Sequence, residues 1–399
     1  MLYSHDSYGL GHLRRNTAIA HALLTREPNL RVVLLSGSRV ANQWPLPRGL
    51  EVVHLPAAIK VGADLYAPVE RRSMSGLVAE RAAIITSTLT RVRPDVFLVD
   101  HAPLGIKGEL APALKMARKE LPDTRVMIGL RDVIDDPAAV KQAWREKGIY
   151  EVLEQLYDQV MVYGCQDLYD VTVHYDFSPQ LAERTTFTGY IGKDRDLEPR
   201  LDRAAAWRRA RRRGDKRVLV MGGGGGDAAD LFRLFLKAWR RLAGRIPGQV
   251  LMVEGPLMDE SPAASLERRA AGLEGVTLLR SSKTVLSLIA GADLVVGMGG
   301  YNTVVEALTA RKPLVLCPRI KPRKEQLIRA ELMAELGLAQ VVRIERESSK
   351  ALAAAIEAGL AAPQPSAARW RAVDLGGAAR VAEIVLAAVA APRSEGVAT

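Results

Sequence analysis

Near-continuous runs of valine, leucine and isoleucine alternate with helical patterns along this chain, in two separate series. The first runs through MLYSH (1–5), RVVLLS (31–36), EVVHL (51–55), DVFLV (95–99), RVMIGL (125–130) and QVMVYG (159–164). The second runs through RVLVMGG (217–223), QVLMVEG (249–255), VTLLR (276–280), ADLVVGM (292–298), PLVLCP (313–318) and AQVVRI (339–344). A strand with one wet face alternates apolar and polar residues. These do not, so both faces of each strand are covered, which requires a parallel sheet with helices on either side. The predicted helices fit: 11–25, 70–92, 108–120 and 137–158 in the first series, then 263–272, 283–290, 301–310, 322–336 and 348–361 in the second. Asp135-Asp136-Pro137 is a helix-start signal. The fold class expected is α/β, with two Rossmann-like, doubly wound domains facing each other across a cleft.

The chain has 399 residues, too many for one ordinary core, which agrees with two domains. Between the two series, residues 191–216 are rich in Asp, Arg and Ala and carry no strand. The expected division is therefore 1–190 as a first Rossmann-like domain, 191–216 as a basic linker, 217–375 as a second Rossmann-like domain, and 376–399 as a closing helix and tail. The apolar segment at about 376–391 has no strand after it and is expected to brace the first half. The residues after it read as disordered. Met1 stands almost on the first strand, which suggests an upstream residue or two.

Net charge is +11, which favours an acidic partner, whether nucleotide phosphates, an anionic membrane surface or nucleic acid, and charge alone does not choose among them. The tract Arg203–Arg217 is densely basic. A solvated helix face is its plain explanation, and a peripheral membrane or phosphate contact the sharper one. No apolar run approaches the ~20 residues of a membrane span, and no secretory signal opens the chain, so a cytoplasmic location is expected. Cys165 and Cys317 both stand beside strand-like runs and read as reduced core residues.

Four clusters lie at predicted strand ends, where doubly wound domains bind ligands. The stretch Leu294–Glu306 joins a strand, a turn with Gly299 and Gly300, and a helix. Glycines let backbone amides approach an anion, and the helix N-terminus adds unpaired N–H groups and partial positive charge. Asn302 and Thr303 stand where N-cap side chains stand, and Glu306, one turn on, can accept two hydrogen bonds from a ribose diol. Thr303-x-x-Glu306 also fits a capping box, which needs no ligand. Glu325 and Gln326 begin the next helix and suit a hydroxyl-rich ligand. The run Gly222, Gly223, Gly224 through Gly226 lacks the Lys-Ser/Thr of a Walker A loop and the G-x-G-x-x-G spacing of a dinucleotide fold. In SHDSYGLGHLRRN (4–16), Gly9 and Gly11 form a turn and His12 opens a helix whose first turn holds Arg14 and Arg15. Cations are disfavoured there, so the arginines make sense beside an anion. His12 also has an ordinary reading as a helix cap. Asp100, directly after DVFLV and followed by His101, is either a loop acid or an acid that orients a histidine.

YGLGHLRRNTAIAHAL, GADLVVGMGGYNTVVEAL, KPLVLCPR and KEQLIRAELMAELG together resemble the MurG-like glycosyltransferases. These are GT-B enzymes that use UDP-N-acetylglucosamine, and the nearest branch carries GLGHLRR and MGGYNT signatures. The resemblance covers both halves in the same order. It implies that Glu306 holds the ribose, that Gly299 to Thr303 hold the diphosphate, and that Glu325 and Gln326 reach the donor sugar. It further implies that Gly222–Asp227 lie over the phosphates, that Leu279–Ser281, with Arg280, hold the base, and that His12 lies on the acceptor side; Gly11, Arg14 and Arg15 are expected on the acceptor or phosphate side. The first loop departs from the family pattern in reading GLGH followed by Leu-Arg-Arg, which leaves the acceptor open: a small molecule, a glycan or a lipid-linked group. Tyr301 has no assigned role.

The activity implied is transfer of a sugar from a nucleoside-diphosphate sugar, a UDP-linked hexose or N-acetylhexosamine, to an acceptor hydroxyl, with inversion. His12, oriented by Asp100, takes the proton. No Asp-x-Asp pair stands in either loop, so no metal is expected, and no cofactor beyond the nucleotide sugar and no nucleic-acid partner. Two rivals remain: a nucleotide-sugar 2-epimerase, which needs acids around the sugar, and a non-catalytic nucleotide-sugar-binding subunit of a membrane glycosylation complex.

Overall fold

The computed structural model describes residues 1–6, 11–38, 41, 46–60, 66–69, 73–192, 207, 215–345 and 348–390. Two compact units partition the chain: Met1–Ile191 with Asp374–Thr399, and Gly192–Val373.

In the first unit the strands are β1 (Leu2–Ser4), β2 (Val32–Ser36), β3 (Leu50–His54), β4 (Ala58–Lys60), β5 (Tyr66–Pro68), β6 (Val96–Asp100), β7 (Arg125–Arg131), β8 (Gln159–Tyr163) and β9 (Thr185–Phe187). Seven of them form one sheet in the order β3-β2-β1-β6-β7-β8-β9, and β4 and β5 pair separately as an antiparallel ribbon. Every pairing within the seven-stranded sheet is parallel. The inner strands β1, β2 and β6 are buried along their whole length, as their unbroken apolar runs require.

Helix starts follow local chemistry. Ser73 accepts a hydrogen bond from the Gly76 amide at 3.1 Å ahead of the Met74–Val92 helix. Asp136 caps the Pro137–Glu146 helix by accepting from Ala138 N at 3.1 Å. The single helix expected over 137–158 is two helices, Pro137–Glu146 and Ile149–Leu156, because Gly148 between them has φ of 61°. The last helix, Gly377–Ala390, packs on the Gly11–Arg26 helix of this unit and buries Val381, Ala382 and Val385.

The second unit holds β10 (Lys216–Met221), β11 (Gly248–Val253), β12 (Val276–Leu279), β13 (Leu294–Gly297), β14 (Leu314–Leu316) and β15 (Ala339–Val341). They form a parallel sheet in the order β12-β11-β10-β13-β14-β15. Its core is built around the Ala229–Leu242 helix, which buries Leu231, Phe232, Phe235, Leu236, Trp239 and Leu242 on one face. Each such side chain contributes roughly 1.5–3 kcal/mol on burial.

Both sheets are wound outward from their first strand and then back past it. The direction reverses between β1 and β6 in the first unit and between β10 and β13 in the second. Adjacent loops diverge at such a point and leave a crevice at the carboxyl ends of the strands.

Of the sequence readings, Gly9, the interior of the 191–216 linker, most of the 203–217 tract and the closing tail lie outside the described residues.

Candidate active site

At the first unit's reversal point β1 and β6 run side by side, with Leu2 opposite Leu98 and Tyr3 opposite Val99. Asp100 ends β6 and is fully buried. His12 is the second residue of the Gly11–Arg26 helix, which begins beyond the end of β1. Its Nδ1 lies 2.6 Å from Asp100 Oδ2. Arg15, one turn further along the same helix, reaches the same carboxylate. Its Nε donates to Oδ1 at 2.9 Å, and its Nη2 lies 2.7 Å from Oδ1 and 3.0 Å from Oδ2.

Electrostatics here are set by burial. Burial pushes the His12 imidazolium down to about 4, against the opposing pull of Asp100, so the ring is neutral at pH 7. Burial would raise the Asp100 carboxyl, but Arg15 and then His12 overcome it and hold the group well below the usual carboxylate range. Ionised Asp100 can only accept, so a neutral His12 bonded to it donates from Nδ1 and keeps Nε2 as a lone-pair acceptor, against the competing Arg15 Nη2 donor 3.0 Å from the same Nδ1. That is the arrangement of a general base.

Two further histidines close on this pair. The ring centroid of His5 lies 5.5 Å from that of His12, and that of His101 lies 5.7 Å away. His5 Nε2 is 3.3 Å from the Tyr66 hydroxyl, and His101 Nε2 is 2.8 Å from Arg131 Nη2. Burial also drives both of these imidazoliums well below their ordinary value. His101 adopts φ of 70°, an unusual backbone for a residue with a Cβ, as strand β6 turns away at the carboxyl edge.

In the second unit Gly222–Gly226 follow β10 and Met298–Gly300 follow β13. Gly300 caps the Tyr301–Thr309 helix with no side-chain bond to its amides. Two expectations are corrected here. Asn302 and Thr303 are the second and third residues of the helix, not its cap, so Thr303-x-x-Glu306 is not a capping box. The turn carries no capping side-chain hydrogen bond. Thr303 and Glu306 are both buried.

The glycine run after β10 interlocks with a second glycine turn that the sequence reading did not single out. A Cβ on Gly222 would stand 2.4 Å from Glu254 O, and one on Gly255 would stand 2.6 Å from Gly223 O. Gly255 N donates in turn to Arg280 O at 3.0 Å. The Arg280 guanidinium contacts the Met258 carbonyl and lies 3.4 Å from Glu254 Oε2. Arg280 therefore joins the Gly222–Gly224 loop through Glu254, Gly255 and Met258.

Gly299 has φ of 83°, and a Cβ there would stand 2.8 Å from Gln326 O, so the β13 turn sits directly on the Glu325–Glu335 helix. Arg329 of that helix donates to Gly299 O at 3.0 Å, and its guanidinium lies 5.6 Å from the centre of the Tyr301 ring. This gives Tyr301 a packing role. Arg319 ties the remaining pieces together, with Nε 2.5 Å from Asp227 and Nη2 2.9 Å from Glu325 Oε1. The other carboxylate oxygen, Glu325 Oε2, is buried without a hydrogen-bond partner. A buried acceptor in that state fits a ligand hydroxyl. With its amide oriented to satisfy its neighbours, Gln326 donates to Met298 O at 2.8 Å.

The structure thus gathers Gly222, Gly223, Gly224, Arg280, Gly299, Gly300, Asn302, Thr303, Glu306, Glu325 and Gln326 in the second unit. His12, Asp100, Gly11, Arg14 and Arg15 belong to the first. Arg15, expected on the acceptor or phosphate side, faces the interior of the first unit instead. It is buried and turned onto Asp100, because the first helical turn lies directly above the end of β6. Sequence reasoning passed over His5, Tyr66, Arg131, Gly255, Arg319 and Arg329. Among the described residues no group of three or more His, Cys, Asp or Glu is placed to hold a metal ion. No described helix is long and apolar enough to cross a membrane.

Residues 217–384 match the model of the glycosyltransferase family 28 C-terminal domain. A stretch of 111 residues is 40% identical to a UDP-N-acetylglucosamine–N-acetylmuramyl-(pentapeptide) pyrophosphoryl-undecaprenol N-acetylglucosamine transferase of Halorhodospira halophila, covering 28% of this chain and 30% of that protein. Another of 236 residues is 30% identical to an uncharacterized glycosyltransferase of Methanopyrus kandleri, covering 59% of this chain and 62% of that protein. The matches therefore span less than two thirds of these relatives' own lengths. Among solved structures, UGT2 of Phytolacca americana, complexed with UDP-2fluoro-glucose and pterostilbene, superposes with a TM-score of 0.68 at 14% identity, covering 98% of this chain and 99% of that one.

Proposed function

Proceeding from residues 217–384 as a glycosyltransferase family 28 C-terminal domain within a chain of GT-B fold, we propose that the protein transfers a sugar from a nucleoside-diphosphate sugar to an acceptor hydroxyl. The observation that carries this reading is the His12–Asp100 pair at 2.6 Å, a neutral base at the reversal point of the first sheet. Nε2 of His12 takes the acceptor's hydroxyl proton as that oxygen bonds to the anomeric carbon. The bond from that carbon to the diphosphate oxygen breaks, and the nucleoside diphosphate leaves with the electron pair. Attack opposite the leaving group inverts the anomeric centre. Negative charge grows on the leaving diphosphate, and the uncapped amides at the start of the Tyr301–Thr309 helix suit it without a divalent ion.

In this reading Glu306 accepts from the ribose hydroxyls, Glu325 and Gln326 bind hydroxyls of the sugar, and Arg280 lies toward the base. UDP is the nucleotide the reading favours, with a hexose or N-acetylhexosamine as the sugar. This reading places the chain in the cytoplasm, with the 203–217 tract either a solvated face or, in the sharper reading, a peripheral membrane contact.

A thermal-shift series with nucleotide sugars tests the donor, since a ligand stabilises by RT ln(1 + [L]/Kd). UDP-hexoses should raise the melting temperature in the native protein. Glu306→Gln should weaken that binding by about 1–3 kcal/mol, the size of a lost charged hydrogen bond. An unchanged donor affinity in Glu306→Gln, with only the fold weakened, removes the ribose role. The product's anomeric configuration then separates a transferase from an epimerase.

A further inference from the structure

Arg15 has the most complete set of contacts around the first-unit site, and a two-residue base has no use for them. It is three residues from His12 on the same helix, so both side chains project from one face. Its fork takes Asp100 through Nε and Nη2, while Nη2 also lies 3.0 Å from His12 Nδ1. From the other side its guanidinium lies 5.4 Å from the centre of the Tyr163 ring. The space for that ring exists because position 129 of the neighbouring strand is glycine, where a Cβ would collide with the Tyr163 hydroxyl. Arginine, carboxylate and imidazole are thus locked in one buried cluster.

We infer that Arg15 is a positioning residue for His12: by spanning both oxygens of Asp100 it fixes the carboxylate so that Oδ2 receives the Nδ1 proton and Nε2 stays open to the acceptor. This rests on the reading of His12 as the proton acceptor. A carboxylate held by one contact can rotate about its Cβ–Cγ bond and present either oxygen, or neither, to the ring. A carboxylate held by a planar fork cannot. The guanidinium has a second effect. It sets a positive charge beside the imidazole, which opposes protonation of the ring, as Arg131 also does, while Asp100 favours it; His5 and His101 complete the groups that face His12.

The test needs no sugar substrate. Histidine ¹⁵N shifts report tautomer and protonation directly, and His12 is assigned by comparison with His12→Gln. In the native protein the ring should stay neutral with its proton on Nδ1 from pH 8 down to at least pH 5. Arg15→Gln should mix the two tautomers and move the His12 titration upward by a pH unit or more, because a charge that opposes protonation has gone. Arg15→Lys keeps the charge but cannot span two oxygens, so the tautomers should mix with a smaller upward movement. Should Arg15→Gln fail to fold, Arg15→Lys decides alone. Unchanged tautomer and titration in a folded variant overturns the inference.

In turnover assays, Arg15→Lys should lower kcat roughly tenfold or more at unchanged donor KM, and move the acid limb of the pH profile upward. A variant with the tautomer shift but unaltered transfer leaves Arg15 as the positioning group and instead removes His12 as the base.

Discussion

Asp100 shows how much a single buried carboxylate decides. Two partners from one helix turn, His12 and Arg15, hold it, and breaking its buried ion pair with Arg15 costs about 3–5 kcal/mol because the remaining charge is stranded. His12→Ala removes the proton acceptor and spares that pair, so turnover should fall about 10²–10⁴-fold while donor affinity, measured by titration, stays the same. Normal turnover in His12→Ala removes the base assignment.

The same residues set an acid stability profile. Burial pushes the His12 imidazolium down to about 4 in the fold, against 6.5 for an ordinary histidine. The unfolded chain therefore binds the proton first as pH falls, and the stability present above pH 6.5 is lost between there and about 4. The shift corresponds to about 3 kcal/mol, and His5 and His101 act in the same direction. Asp6 opposes them, because burial raises its carboxyl to about 6, so the folded state takes that proton first and gains stability as pH falls toward 3.8. Asp6→Asn should thus steepen the acid loss in chemical denaturation curves taken from pH 7 to 4. Parallel curves for the two proteins contradict it.

The position of Asp100 was readable, since an acid directly after an apolar run ends a buried strand at its carboxyl edge. The turn of Arg15 onto it was not, because that contact joins residues 85 apart and depends on the β1–β6 register.

At the level of elements, the glycine turns carry the donor-side design, and two adjacent glycines in one turn do different things. Gly299 is forced, with φ of 83° and Gln326 O in the way of a Cβ. Gly300 has ordinary φ of −62°, and a Cβ there would meet nothing within 4 Å. Gly299→Ala should therefore lower the melting temperature and disturb the Glu325–Glu335 helix. Gly300→Ala should fold normally and, on the proposed phosphate role of this turn, lose donor binding. Donor affinity preserved in Gly300→Ala denies the phosphate role of this turn.

Long apolar strands such as DVFLV and ADLVV were legible because burial on both faces leaves an unbroken signature. The ribbon β4–β5 and the three-residue β9 were not, because β5 and β9 are only partly buried, β4 sets buried Ala58 beside exposed Ile59, and each is too short to show a period. The break at Gly148 was hidden by apolar residues on both sides that keep helical spacing. The bare helix start at Gly300 was masked by Asn302 and Thr303, residue types that favour caps but stand two and three places too late.

For the molecule as a whole, the charge of +11 concentrates interest on the 203–217 tract. A tract that touches a membrane should give vesicle binding that rises with anionic lipid and falls with salt, over a Debye length of about 10 Å at 0.1 M. Equal recovery on neutral and anionic vesicles makes it a solvated segment.

The chain also leaves the first unit and comes back to it. Departure and return are stitched together where Tyr190 N donates to Asp374 O at 2.8 Å and Gly377 N to Tyr190 O at 3.1 Å. In covalent terms the second unit is an insertion near the end of the first. This has a consequence during synthesis, which proceeds from the N-terminus. The ribosome completes the whole second unit before it makes the Gly377–Ala390 helix. At about 5–20 residues per second the first unit waits roughly 10–40 s for the segment that covers its Gly11–Arg26 helix. The half of the protein that is translated first is therefore the half that finishes folding last, and the helix carrying His12 is covered only once the second unit already exists.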